Sequence, residues 1–248
     1  MARPSTPKLS RTVIASAALR LVDRSGEFTI PDLARALHVS PSSLYNHIGS
    51  KADIVELMRG QAMSAVRLPA PPPEPPHDAG IPHDAGILHD GGILHDGDAP
   101  PAAVDPDWRS TLRAIAIGYL DSYARHPRLI PLLTAYTVRD ATTLRVYDAM
   151  ARALAAGGFA PAARLRAVTI LDSFILGSAL DAAAPAVVWE ADEAASGEFA
   201  EALAAGLDEP DRARRTFLEG LDLILEGFSA QATRADDNGA PPRPQVLG

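Results

Sequence analysis

Apolar residues recur along this chain with the spacing of helices. Between residues 11 and 24, Ile14, Ala17, Ala18, Leu21 and Val22 line one face, which predicts an amphipathic helix ended near Gly26. Thr29 then stands as the N-cap of a short helix through Leu37, with Asp32 in its first turn. "HVS" makes a turn, after which Ser40 caps and Pro41 opens a helix over 41–47. "IGS" breaks that helix, and Ser50 caps another over about 51–66. After a gap the pattern returns with the stripe Leu112, Ile115, Ala116, Tyr119, Leu120 and Tyr123, stopped by His126 and Pro127. Shorter helices are expected over 128–136 and 142–156, the second closed by Gly157 and Gly158. Pro161 opens a long helix through about 180. A last helix spans 211–231, with Phe217, Leu221, Ile224 and Phe228 on one face. No strand pattern is present, and the expected fold is all-α.

The gap itself changes composition. "PAPPPEPP" cannot form a regular helix, and "HDAGIPHDAGILHDGGILHDGD" at 77–98 repeats a six-residue unit built on His77, His83, His89 and His95. Three readings compete for the repeat. Imidazole and carboxylate suit zinc or nickel, but ligands six apart on a Gly-rich chain are costly to order. A hexapeptide β-helix needs more turns than four imperfect units provide. The favoured reading is an insert without fixed structure. Residues 68–106 are therefore read as a disordered linker, and the polar, proline-containing 232–248 as a disordered tail. That leaves an N-terminal domain over 10–67 and a larger helical domain over 107–231.

The net charge of −8 argues against a nucleic-acid binder until it is divided. Residues 1–67 hold nine Lys/Arg against five Asp/Glu, whereas the remainder holds fourteen against twenty-six. A small basic end on an acidic body fits local phosphate binding. The chain has no cysteine, which excludes disulfides and thiolate metal sites and fits a reducing compartment. No apolar run has the length of a membrane span, and "VIASAALRLV" is too short and too interrupted for a signal peptide, so a soluble cytoplasmic protein is expected. His-Glu-x-x-His, Gly-x-Ser-x-Gly and glycine-rich phosphate-loop patterns are absent, and the one Glu-x-x-His spacing, Glu74 to His77, falls in the proline-rich stretch rather than on a helix, so no enzyme and no cofactor are expected.

The segment "TIPDLARALHVSPSSLYNHIGSKADIVELM" at 29–58 reads as helix, tight turn, helix. Leu33, Leu37, Val39 and Leu44 would form the small core, with Ala34 where the helices approach. This is a helix-turn-helix pattern, whose second helix enters the DNA major groove by its N-terminus and offers first-turn amides to phosphate. In combination, "LARALHVSPSSLYNHIGSKADIVELM" and the helix before it resemble the DNA-binding domain of the tetracycline-repressor (TetR) family. "DWRSTLRAIAIGYLDSYARHPRLIPLL" and "FLEGLDLILEGF" resemble its C-terminal domain more loosely. His38 stands where many such turns carry glycine, which calls for a slightly different turn.

The resemblance implies a ligand-controlled transcriptional regulator, most often a repressor, that binds double-stranded DNA as a homodimer. It places Pro41, Ser42, Ser43, Asn46 and His47 on the exposed part of the recognition helix, where Asn pairs with adenine and Ser with any base. It places Thr29, Tyr45 and Lys51 at phosphates. Plainer readings stay open: Tyr45 as an edge of the core, His47 packed on the next helix, Lys51 as a solvated charge. The dimer would form through helices near 161–180 and 211–231, with Gly177, Ser178 and Ala179 permitting close approach. For the effector, Trp108, Tyr119, Tyr123, Tyr136, Phe174 and Trp189 are the candidate pocket lining, each with the alternative of ordinary core. No metal site is assigned; His126 beside Pro127 reads as structural. Two alternatives remain: a metal-responsive regulator that senses through the His-Asp repeat, and a regulator without small-molecule response.

Overall fold

The computed structural model describes residues 9–69, 107–185, 188–189, 197–206 and 211–238, with side chains to residue 230. Every described element is helical. The N-terminal helices are α1 (Arg11–Ser25), α2 (Ile30–Ala36), α3 (Pro41–Tyr45) and α4 (Lys51–Met63). The body holds α5 (Trp108–Tyr123), a 3₁₀ turn (Pro127–Leu129), α6 (Ile130–Leu133), α7 (Ala141–Ala156), α8 (Pro161–Asp181), α9 (Glu198–Gly206) and α10 (Arg212–Asn238). The His-Asp repeat and nearly all of the expected linker lie outside the described residues.

Local chemistry sets the starts of the first four helices. Ser10, Thr29, Ser40 and Ser50 each sit in extended backbone and accept the amide three residues on, from Val13, Asp32, Ser43 and Asp53, all at 3.2 Å. Asp53 returns the favour by accepting the Gly49 amide at 2.8 Å, so the entry to α4 is closed from both sides.

One continuous apolar core runs from Ile14 and Val22 on α1, through Leu33 and Leu44, to Leu171 on α8 and Phe228 on α10. The central element is α4. It packs on α1 to one side and on α5, α6 and α7 to the other, so it belongs to the small N-terminal unit and to the body at once. Helices α5, α7 and α8 pack mutually, and α10 lies against α8. Surface ion pairs Arg113–Asp222 and Arg214–Asp121 tie α10 to α5 as well.

Three elements depart from expectation. Helix α3 stops at Tyr45 rather than His47, with Asn46 as its C-cap. Helix α9 was not foreseen: none of its residues is buried, so no apolar stripe marks it. Helix α10 continues to Asn238 rather than ending near 231, because "ATRADDN" contains no Gly or Pro to stop it.

Candidate functional site

The turn between α2 and α3 is set by backbone hydrogen bonds. The Val39 amide donates to the Ala34 carbonyl at 3.0 Å and the His38 amide to the Arg35 carbonyl at 3.2 Å, the paired bonds of a Schellman end. That motif needs a left-handed residue after the cap, and His38 takes it with φ of 55°. The expectation of a different turn is thus corrected: the turn is the glycine-type one, with histidine strained into it. Left-handed backbone costs an L-residue roughly 1–2 kcal/mol, partly offset in comparison with glycine by the latter's greater freedom when unfolded. His38→Gly is expected to stabilise the protein by about 0.5–1 kcal/mol, read as a raised midpoint of urea unfolding with an unchanged slope.

Leu44 points fully into the core and fixes the rotation of α3. Pro41, Ser42, Asn46 and His47 are exposed, Ser43 is half-buried, and Tyr45 is 53% exposed. Tyr45 is therefore not an edge of the core, and His47 is not packed away. The expected supply of free first-turn amides is smaller than the pattern suggested. Pro41 has no N–H, and the Ser43 amide is taken by the Ser40 hydroxyl. The Ser42 and Ser43 hydroxyls both lie 2.8 Å from Ser40 Oγ, which orients them as a cluster. Thr29 is exposed, but its hydroxyl donates to Asp32 at 2.5 Å. That bond, and after it Arg35 at 2.8 Å, holds the Asp32 carboxyl below the usual carboxylate value. Lys51 opens α4 with its ammonium 5.0 Å from the centre of the buried Phe28 ring, so it is a positioned charge rather than a loose one.

In the body, the six candidate pocket residues do not converge. Trp108 is buried edge-on against Phe159 at 5.5 Å, and Phe159 in turn meets Phe228 at 6.0 Å, which closes one end of the bundle. Phe174 stacks on Phe217 at 5.4 Å between α8 and α10, over Gly220, where a Cβ would lie 2.7 Å from its ring. Trp189 is 49% exposed, beside Phe199 and the Arg212 guanidinium. The side chain of Tyr136 packs partly buried on the core, and its carbonyl accepts from Arg59 at 3.2 Å. Only Tyr119 and Tyr123 meet, at 5.1 Å. Neighbouring side chains that the sequence did not single out complete a polar cluster there: the hydroxyls of Tyr119 and Tyr147 donate to Asp172 Oδ1 at 2.6 and 2.7 Å. Burial pushes all three tyrosine hydroxyls well above their usual pKa, with Asp172 adding to the effect.

A second polar group went unmarked in the sequence. Glu56 and Arg59 on α4 are both buried and paired at 2.8 Å. Arg59 also donates to the Leu133 carbonyl at 3.0 Å, and Glu56 Oε2 accepts the amides of Arg139 and Asp140 at 2.5 and 2.8 Å. Asp140 caps α7 through the Thr143 amide at 2.9 Å and lies against Gly60, where any Cβ would come within 2.3 Å of its carboxylate. So α4, the element shared with the N-terminal helices, is clamped to the end of α6 and the start of α7. The signal was present: a Glu and an Arg three apart among the apolar residues of "IVELMRG". His126, read as structural, sits 3.0 Å from Asp23 of α1 and adds a contact at the same junction.

The stripe Phe217, Leu221 and Phe228 on α10 is buried within the chain, joined by Leu225, while Ile224 is only partly covered. It belongs to the monomer core. What α10 leaves outward is Leu223, 70% exposed, while Leu165, Ile170 and Leu180 are exposed along α8. A groove between the two helices is lined by Ser173, Gly177, Ser178, Ala213 and Thr216 together with Phe174, Phe217 and Asp181.

Known proteins share this architecture. Residues 100–232 match the family model of the tetracyclin repressor-like C-terminal domain. A curated HTH-type transcriptional regulator of Saccharopolyspora erythraea is 26% identical over 174 residues, which are 69% of this chain; the match spans only 60% of that protein's length. A TetR transcriptional regulator of Streptomyces coelicolor superposes with a TM-score of 0.61 at 26% identity, over 90% of this chain and 98% of the other. ActR, a TetR family protein of the same organism seen in complex with actinorhodin, gives 0.64 at 18% identity over 91% and 99%. Among the described residues no helix is long and apolar enough to cross a membrane. With a DNA-binding helix-turn-helix at one end and the matched domain covering more than half its length, the chain belongs to the TetR family of transcriptional regulators.

Proposed function

We propose that the protein is a cytoplasmic, homodimeric repressor that leaves its DNA site when a small organic molecule binds the body. In this reading residues 10–67 form the reader, 68–106 the linker and 107–231 the ligand-binding and dimerisation domain. The observation that carries it is the surface of α3: Leu44 anchors the helix while Tyr45, Asn46 and His47 face outward and Lys51 is held beside them over Phe28. Pro41, Ser42, Ser43, Asn46 and His47 then meet base edges, and Tyr45 and Lys51 meet phosphate. Thr29 serves first as a cap, and reaches phosphate only by releasing Asp32. A small-molecule effector draws support from ActR, which is seen with actinorhodin.

Selection of duplexes from a random pool tests this. A two-fold site with half-sites about one helical turn apart is expected. Asn46→Ala should relax sequence preference at one position per half-site by about 1–3 kcal/mol, while Lys51→Ala should weaken all sequences alike and reduce the salt slope by about one per head. Failure to enrich any sequence at low salt would refute the reading.

A further inference from the structure

Asp172 lies half-buried on α8, with Leu171 and Ile175 buried close to it in sequence. Its Oδ1 receives both tyrosine hydroxyls, which uses that oxygen's two lone pairs. No described residue donates to Oδ2. Because the two tyrosines are donors and stay protonated, they bring no charge of their own. Arg59, whose charge is felt at Tyr123 and Tyr147, is itself paired with Glu56 and makes no bond to Asp172. Among the described residues the carboxylate therefore has two neutral donors on Oδ1 and none on Oδ2.

Two apolar side chains lie toward one end of the helix pair that carries Tyr147 and Asp172. Helices α7 and α8 are joined by a four-residue turn and run antiparallel. Leu144, one turn before Tyr147, and Leu176, one turn after Asp172, thus fall at the same end of the pair. Leu144 is 47% exposed and Leu176 only partly covered.

We propose that Asp172, held by Tyr119 and Tyr147, anchors a small molecule carrying a cationic hydrogen-bond donor on an apolar, aromatic body. The simplest member of that class is a protonated aryl-alkylamine. Its ammonium donates to Oδ2 and its ring lies along Leu144, Tyr147 and Leu176. Anionic molecules of the same shape are excluded by the charge. The inference rests on the body being the effector-binding half, and it names the class of effector.

The test uses the full-length protein and a matched pair of probes, 1-naphthylmethylammonium and 1-naphthylacetate, titrated by calorimetry. A charge-assisted hydrogen bond predicts that the ammonium binds at least about tenfold more tightly. Asp172→Asn, which can still accept from both tyrosines, should bring the two within about twofold. Glu219→Gln, an exposed carboxylate removed on α10, should leave the preference intact and so exclude a general effect of the acidic surface. Should Asp172→Asn not fold, Tyr147→Phe serves instead: it frees a lone pair on the carboxylate, and the ammonium preference must persist or grow. Equal affinities in the native protein, no binding of either probe, or a preference that survives Asp172→Asn each overturn the proposal. DNA binding by the same preparations separates the two readings, since Asp172-dependent ammonium binding without DNA binding refutes the regulator and leaves the site standing.

Discussion

Glu56→Ala is expected to lower the free energy of unfolding by about 3–5 kcal/mol, the usual loss when one member of a buried ion pair is removed. The figure follows from what the side chain holds. Arg59 would stay in an almost wholly buried position with only the Leu133 and Tyr136 carbonyls for company. The amides of Arg139 and Asp140 would lose their acceptor at the same time. Urea unfolding followed by circular dichroism measures the loss. Glu56→Gln should cost less, since its amide oxygen can still accept a backbone N–H. The double variant Glu56→Met/Arg59→Met should recover part of the loss, because no charge is then left unpaired. A loss below about 1 kcal/mol for Glu56→Ala would mean that water reaches the pair and that the clamp is a surface contact.

The clamp matters beyond stability because of where α4 lies. One face of the helix carries Ile54, Val55 and Met58 into the core shared with α1, and α1 and α2 carry α3. The other side is bonded to the start of α7. Tyr147 on α7 donates to Asp172, and Tyr123 and Tyr147 both feel the charge of Arg59. A change at the Asp172 cluster and a change in the tilt of the reader are therefore linked by packed and hydrogen-bonded groups without a gap. Physical continuity alone is not coupling, and a double-mutant cycle between Glu56 and Asp172 measures whether energy passes along it.

What could be read in the sequence was local. The caps at Ser10, Thr29, Ser40 and Ser50 act over three residues, and the helix-turn-helix core involves Leu33 and Leu44 only eleven positions apart. Those features survive translation into coordinates. The left-handed turn residue was hidden because histidine gives no signal of positive φ where glycine would. The polar cluster of the body was hidden because Tyr119, Tyr147 and Asp172 meet only after three helices pack, and an aromatic stripe in one helix cannot say what it will face. For the same reason Trp108, Phe174 and Trp189 share a residue class but no common site. The stripe on α10 illustrates the limit of periodicity: it announces burial and leaves open whether the cover is the same chain or another.

That limit leads to the second large effect. Leu223→Lys is expected to turn the proposed dimer into a monomer and to weaken binding to the selected operator by about 10²–10⁴-fold. The residue is 70% exposed, so the substitution should change the stability of the isolated chain by no more than about 0.5 kcal/mol. Its weight lies in what surrounds it. Phe217, Leu221, Leu225 and Phe228 are already covered, which leaves Leu223 as the large apolar residue on the outer side of α10. Leu165, Ile170 and Leu180 are the exposed apolar residues of α8, and a groove in which small residues such as Gly177 and Ala213 alternate with Phe174 and Phe217 runs between the helices. A two-fold interface places each such residue against its own counterpart's surroundings, so one lysine per chain introduces two charges into the contact. Without the dimer the second reading head is no longer delivered at high effective concentration, and the operator is held by one half-site. Sedimentation gives the mass and a titration with labelled operator gives the affinity. A Leu223→Lys protein that stays dimeric would move the interface off the α8–α10 layer, while a monomer that keeps full affinity would show that one head suffices.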